Sequence, residues 1–355
     1  MKKVSNGIQK FFPAFGILLL ILDSKTAILG ASEAISLCIR SVIPSLFPFM
    51  MLSILMTSSI NSMQFPTFPL IGKICKIPRN AEPLFLVGIL SGYPVGAQVV
   101  ANAYQSGNLS KSNAIRLLGF CNNAGPAFIF GIVGQMFQNH RISWLLWLIH
   151  ILSAVLVGTF LPQSDNTLFG KACNKTASVQ EAFTGSIRIM AGICGWIILF
   201  RVWIAILEHW LLWILPECTA VFITGCLELT NGIFALKSID SEAIRLIFCS
   251  VFLALGGICV YMQTLSATGE LGTGFYITGK VLQASISCTL SAFFANLIYG
   301  PLPTSAACML ISMLISLIMI MILRNHKITV AFLRNCVYTI QKSPRELQSC
   351  SFERK

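Results

Sequence analysis

Charged residues are scarce in this chain: they make up 11% of its 355 residues, whereas 55% are hydrophobic. An ordinary soluble domain has about 25% charged residues. A chain with so few cannot cover a globular surface with polar groups, so we expect a protein that crosses the membrane several times. Acidic residues are fewer than basic ones: the chain has 13 Asp and Glu and 25 Lys and Arg, which gives a formal net charge of +12.

The sequence also lacks the short motifs of common enzyme classes. It has no His-Glu-x-x-His, no Gly-x-Ser-x-Gly and no phosphate-binding loop, and its four histidines are dispersed. We therefore expect no enzymatic activity, no metal and no cofactor. The 13 cysteines include no Cys-x-x-Cys pair, and their scatter through apolar segments is typical of small buried hydrophobes.

The positive charge lies mostly in loops and tails, where Lys and Arg set the orientation of a membrane protein. The basic residues Lys73, Lys76 and Arg79 and the basic residues after Arg324 are expected on the cytoplasmic side. This predicts a cell-membrane location with both termini in the cytoplasm. We expect no binding of nucleic acid.

Apolar stretches long enough to cross about 30 Å of hydrocarbon occur along the whole chain. Eight predicted spans lie near residues 11–30, 34–60, 114–138, 142–161, 183–207, 243–268, 274–299 and 303–324. Two further apolar segments, 84–105 and 217–236, are interrupted by small and polar residues. We predict that these two are re-entrant hairpins, although either could instead cross fully.

The two halves of the chain resemble each other. Residues 114–118 read Ala-Ile-Arg-Leu-Leu and residues 243–247 read Ala-Ile-Arg-Leu-Ile, each at the start of an apolar span and each after an interrupted segment. Broken segments at matching places are typical of transporters built from inverted repeats; chance similarity of two apolar stretches is the alternative. The predicted organisation is a first span 1–30, a first repeat 31–162, a cytoplasmic connector 163–180, a second repeat 181–300, a last span 301–325 and a basic cytoplasmic tail 326–355.

The first candidate site segment is rich in glycine and proline, so a continuous helix there would be costly. Backbone freed by such a break is tolerated at membrane depth only inside protein or beside a watery cavity. We therefore predict a hairpin tip that contributes to a binding site, with the candidate residues Ser91, Gly92, Tyr93, Pro94, Gly96 and Gln98.

Asn122 and Asn123, followed by Gly125 and Pro126, predict that the next span unwinds locally. Two carboxamides supply donors and acceptors for a polar, uncharged ligand. A proline kink with asparagines that join helices together is the alternative.

Glu228 lies inside an apolar segment at the matching place of the second half, with Thr230, Asn231 and Gly232. A carboxylate there indicates a functional site, able to bind a cation or proton or to accept hydrogen bonds from a ligand. The alternative is a structural ion pair with a membrane arginine. We expect Arg116 and Arg245 to reach the interface, and Arg40 and Arg188 to lie in the interior beside Glu33, Glu208 or Glu228.

Three motifs together resemble the nucleoside-recognition, or Gate, domain membrane family and the sporulation membrane proteins within it. They are Ser-Gly-Tyr-Pro-Val-Gly-Ala from residue 91, Phe-Cys-Asn-Asn-Ala-Gly-Pro from residue 120 and Gly-Cys-Leu-Glu-Leu-Thr-Asn-Gly from residue 225. The resemblance implies a role in spore cortex formation and a fold related to concentrative nucleoside transporters, whose hairpins and unwound helices form the substrate site. A lysine often follows Gly-Ala in the family where this chain has Gln98, so recognition of an anion is not implied here.

The sequence thus predicts an all-α polytopic membrane protein with two inverted-topology repeats, each with a re-entrant hairpin and a discontinuous transmembrane helix. The predicted function is transport or permeation of a small polar solute, nucleoside-like or other, during sporulation. A non-transporting scaffold or a channel subunit for sporulation proteins is the alternative. The expected partners are the solute, the lipid bilayer, and either further copies of the chain or other sporulation membrane proteins.

Overall fold

The computed structural model describes residues 14–60, 69–78, 81–162, 178–301 and 303–324, and all regular secondary structure in these ranges is helical. The α-helices are α1 Ser24–Leu37, α2 Ile43–Ile60, α3 Pro69–Ile74, α4 Glu82–Ser91, α5 Val95–Gln105, α6 Lys111–Cys121, α7 Pro126–Gly131, α8 Arg141–Phe160, α9 Val179–Trp210, α10 Glu217–Leu227, α11 Leu229–Ala235, α12 Glu242–Leu255, α13 Gly257–Thr268, α14 Tyr276–Tyr299 and α15 Pro303–Arg324.

Within the described ranges, six helical stretches are long and apolar enough to cross a membrane. They are Ser24–Leu52, Arg141–Phe160, Val179–Trp210, Glu242–Leu271, Tyr276–Tyr299 and Pro303–Leu323. Their apolar residues face both the protein interior and the outside, which is typical of helices surrounded by lipid. The predicted all-helical, multi-span membrane architecture is confirmed.

Residue 30, the predicted end of the first span, lies inside α1. α1 runs on through the π-helical turn Cys38–Val42 into α2. The carboxylate of Glu33 on α1 meets the guanidinium of Arg201 on α9 at 2.7 Å. Residues 1–13, most of the predicted connector (163–177) and the tail 326–355 lie outside the described residues.

The predicted span 114–138 is broken, as its Asn-Asn and Gly-Pro pairs indicated. Ser110 caps α6 by accepting a hydrogen bond from the amide of Asn113. α6 ends before Asn122, the backbone is extended at Asn122 and Gly125, and α7 begins at Pro126. Proline suits the first position of a helix because its missing N–H has no intrahelical partner there.

The same order of elements occurs twice. A long helix (α1–α2, then α9) is followed by an interrupted pair (α4–α5, then α10–α11), a broken helix (α6–α7, then α12–α13) and another long helix (α8, then α14). The four breaks lie at residues 92–94, residues 122–125, Glu228 and Gly256. α14 packs against α12, α8 and α6, α9 lies along α1 and α2, and α15 packs on the outside of α14.

The arginines differ from the expectation. Arg116 does not reach the interface: it is 1% exposed and donates hydrogen bonds to the carbonyl oxygens of Cys75, Lys76, Gly158 and Pro162 at 2.6–3.3 Å. These carbonyls follow α3 or end α8, where helix dipoles place negative partial charge.

Arg40 and Arg188, expected in the interior, are exposed. Arg201 instead forms the ion pairs with Glu33 and Glu208, at 2.7 and 2.8 Å. Each of these arginines lies in an apolar span, so the sequence alone does not show which of them is buried.

Candidate functional site

Three of the four breaks line one cavity of about 50 Å³. Its polar wall consists of residues 91–93, 124–125 and 228–230, together with Gln263 on α13. Apolar side chains of α2, α7 and α9 and of the π-helical turn close the other side. A cavity of this size has room for a few water molecules.

The hairpin tip and the break after α6 touch at two glycines. Gly92, which follows α4, has a φ of 81°, and a Cβ there would lie 2.9 Å from the amide nitrogen of Gly125. The chain then turns through a cis peptide bond between Tyr93 and Pro94. Both glycines are needed because any side chain would push the two breaks apart.

Ser91 supplies an unused polar group to the cavity. Its side chain is buried, and its Oγ has no hydrogen-bond partner among the described residues. A buried hydroxyl without a partner costs about 1–3 kcal/mol. A water or ligand in the cavity would therefore be expected to bind this oxygen.

Tyr93 connects the two halves. Its ring lines the cavity, and its hydroxyl donates a hydrogen bond to the carbonyl of Leu253 at 3.0 Å. Leu253 lies in the last turn of α12, just before the break at Gly256, which has a left-handed φ of 72°. The first and the fourth break are thus joined by one side chain.

Asn122 binds protein groups and does not line the cavity. Its Oδ1 accepts a hydrogen bond from the amide of Ala97 at 3.2 Å, and its Nδ2 donates to Thr264 Oγ1 at 2.9 Å. Ala97 lies in the first turn of α5, where amides have no intrahelical acceptor. Asn122 therefore ties the hairpin to the break and the break to α13.

Asn123 is also fully engaged. Its Nδ2 donates to the carbonyl of Phe120 at 2.7 Å, and its Oδ1 accepts from Lys280 Nζ at 3.2 Å and from Gln283 Nε2 at 3.0 Å. The alternative interpretation, in which the asparagines join helices together, describes this geometry. Neither asparagine lines the cavity that Glu228 lines.

Glu228 does line the cavity, and it caps α11 at the same time. Its carboxylate is 2% exposed and accepts hydrogen bonds from the amides of Thr230 and Asn231 at 2.9 and 2.6 Å and from Asn231 Nδ2 at 2.7 Å. A helix N-terminus stabilises negative charge. No arginine lies within ion-pair distance of Glu228 among the described residues, so the arginine-partner interpretation is wrong.

The remaining candidate residues shape the site without facing it. Of the predicted residues, the structure brings Ser91, Gly92, Tyr93, Gly125, Glu228 and Thr230 to the cavity. Gly96 packs against the backbone of residues 121–122, and Gly232 packs against Gly225. Pro126 begins α7, Gln98 is half-buried on α5, and Asn231 binds Glu228. Pro94 shapes the turn between α4 and α5.

Two residues that the sequence reading missed support the break after α6. Lys280 on α14 is 2% exposed, and His150 on α8 accepts a hydrogen bond through Nε2 from the amide of Ala124 at 3.0 Å. A lysine inside an apolar span is a recognisable signal of function. His150 could not be recognised in this way, because it binds the backbone amide of Ala124, whose side chain is apolar and suggests no polar contact.

The sporulation integral membrane protein YlbJ of Bacillus subtilis (strain 168) is 24% identical to this chain, in an alignment that covers 86% of the chain and 85% of that protein. The chain is a relative of YlbJ. No protein-family profile matches it, and no solved structure matches it.

The similarity to YlbJ confirms the resemblance to sporulation membrane proteins that the motifs indicated. YlbJ is by name an integral membrane protein, which agrees with the six apolar helices of this chain. The membrane location is therefore established.

Proposed function

We propose that this protein is a carrier or permease for a small polar solute and that it acts in spore cortex formation. It carries out no reaction on the solute. The nucleoside-recognition character that the motifs imply makes nucleosides the first solutes to test.

The meeting of three helix breaks at one cavity is the observation that carries this proposal. Broken helices are tolerated in a membrane where they line a cavity, and transporters place their sites where broken helices from two repeats meet. Here the tip at Ser91 and the break at Gly125 come from the first half, and Glu228 comes from the second. If each break were only a structural kink, there would be no reason for breaks from both halves to line the same cavity.

The repeated order of elements supports two repeats of opposite orientation. In this scheme α4–α5 enters from the cytoplasmic side and α10–α11 from the other side, both as re-entrant hairpins. Both chain termini then lie in the cytoplasm, as the positive-inside rule asks. Cysteine substitutions labelled from one side of intact cells test this topology.

The polar groups that line the cavity favour a solute that donates hydrogen bonds. Glu228 offers a carboxylate, Ser91 offers a free hydroxyl and Gln263 offers a carboxamide. Hydroxyl and amino groups of a polar solute fit these acceptors. Because the cavity holds only about 50 Å³, too little for a nucleoside-sized solute, the proposal requires that the hairpin tip moves when the solute enters.

A non-transporting scaffold or channel subunit is the second candidate, since Asn122 and Asn123 both form hydrogen bonds to other groups of the protein. Complementation separates the two candidates. Glu228→Gln keeps an oxygen that can cap α11 but removes the charge, and Glu270→Gln is a matched control because Glu270 is exposed.

In a deletion strain of the organism that encodes the protein, we expect Glu228→Gln at normal membrane levels to lower the count of heat-resistant spores, and Glu270→Gln to restore it. Uptake of labelled uridine into proteoliposomes should show the same difference. Full restoration by Glu228→Gln would remove the cavity from the proposal and favour the scaffold. A deletion strain with normal spores would contradict the sporulation role itself.

A further inference from the structure

Lys280 is a buried cation that no acid neutralises. Its ammonium donates hydrogen bonds to Gln283 Oε1 at 2.8 Å and to Asn123 Oδ1 at 3.2 Å. It also lies 5.1 Å from the ring centroid of Tyr93 and 5.8 Å from that of Tyr276. Among the described residues, no carboxylate lies within ion-pair distance of it. Neutral acceptors and aromatic faces alone surround the charge.

The charge of Lys280 contacts residues at two of the helix breaks. Asn123 belongs to the extended segment between α6 and α7, and Tyr93 belongs to the hairpin tip that lines the cavity. Lys280 therefore holds two of the four breaks against α14. An ammonium donates a hydrogen bond to Asn123 and is attracted by the ring face of Tyr93, whereas a neutral amine donates more weakly and attracts aromatic faces far less.

Proton loss from such a lysine is chemically accessible. A buried charge without an opposite partner is costly, and losing the proton removes that cost. Lys280 lines a largely apolar cleft of about 290 Å³ between α13 and α14, so only this cleft separates its ammonium from the outer face of the bundle. The other titratable groups that face Lys280 are Tyr93, Tyr276, Cys121 and His150.

We propose that Lys280 is the proton-binding group of the carrier: the ammonium, beside Gln283 on the same helix, holds the break at residues 122–125 against α14, and release of the proton to bulk water weakens that hold so that the break can move. Solute movement is thereby coupled to a proton. The coupling role rests on the proposed carrier function, but the proton-dependent release of the break does not.

Hydrogen–deuterium exchange of the purified full-length protein tests the release without any solute. The readout is the exchange rate of the peptide that contains residues 122–125, divided by the intrinsic rate at each pH of a series. In the unaltered protein we expect protection at low pH and a single transition to faster exchange as the pH rises. Lys280→Met should exchange about tenfold faster at low pH, the change that 1.4 kcal/mol produces, and should show no transition.

Lys280→Arg is the matched control, because arginine keeps its charge at every accessible pH; it should stay protected throughout and also covers the case in which Lys280→Met fails to fold. A transition that persists in Lys280→Arg, or a wild-type rate that does not change with pH, would overturn the inference. If the transition is present while uridine uptake and spore counts do not depend on Glu228, the carrier function fails and the proton-dependent break stands.

Discussion

The two arginines at equivalent places in the repeated motif should differ sharply in their contribution to stability. Arg116 in the first copy is buried and donates to four carbonyl oxygens. Arg245 in the second copy is partly exposed, lies 3.6 Å from Glu242 and donates to the carbonyl of Met136 at 3.2 Å. Arg116→Met and Arg245→Met therefore form a matched pair.

The magnitude follows from the carbonyls that Arg116→Met leaves without a donor. The carbonyl of Gly158 has no other partner to regain, because the residue four positions later is Pro162, which has no N–H. Each buried carbonyl without a donor costs about 1–3 kcal/mol, and the three shortest bonds, to Cys75, Gly158 and Pro162, would be lost together. Part of this is recovered because the guanidinium is no longer buried, so we expect a net loss of about 3–5 kcal/mol.

Arg245→Met should cost about 0–1 kcal/mol, as partly exposed ion pairs do. The free energy of unfolding can be measured by reversible SDS unfolding in mixed micelles, followed by tryptophan fluorescence. Equal losses in the two single variants, or a loss under 1 kcal/mol for Arg116→Met, would refute the reasoning.

Three further outcomes are expected. Gly88→Ala should abolish accumulation of the protein in membranes, because a Cβ would lie 1.7 Å from a carbonyl oxygen at the end of α6, whereas Gly192→Ala, with nothing within 4 Å, should accumulate normally. Tyr93→Phe should lower the free energy of unfolding by about 1 kcal/mol, because it removes the hydrogen bond to α12; an unchanged SDS midpoint would contradict this. Ser91→Ala should not lower the free energy of unfolding, since it removes a buried hydroxyl that has no described partner, yet it should reduce uridine uptake; unaltered uptake would remove Ser91 from the site.

The sequence predicted breaks that have a local cause. Glycine and proline at residues 92–94 and paired asparagines before Gly125 disfavour helix whatever surrounds them, and the structure is interrupted at both places. Glu228 was recognisable because a carboxylate is rare in an apolar segment. The sequence missed contacts whose cause is distant: Arg116 binds carbonyls near residues 75 and 158, and Lys280 binds Asn123 in the other half. Neither partner can be inferred from spacing along the chain.

The contact between Gly92 and Gly125 has a mechanical consequence. Where two side chains interlock, one surface can pass another only if rotamers change. Here two bare backbones meet, and a Cβ on either glycine would lie about 3 Å from the backbone of the other, so no side chain at this contact resists sliding of the tip over the break. A single methyl group at either position would block this sliding movement, even in a protein that still folds.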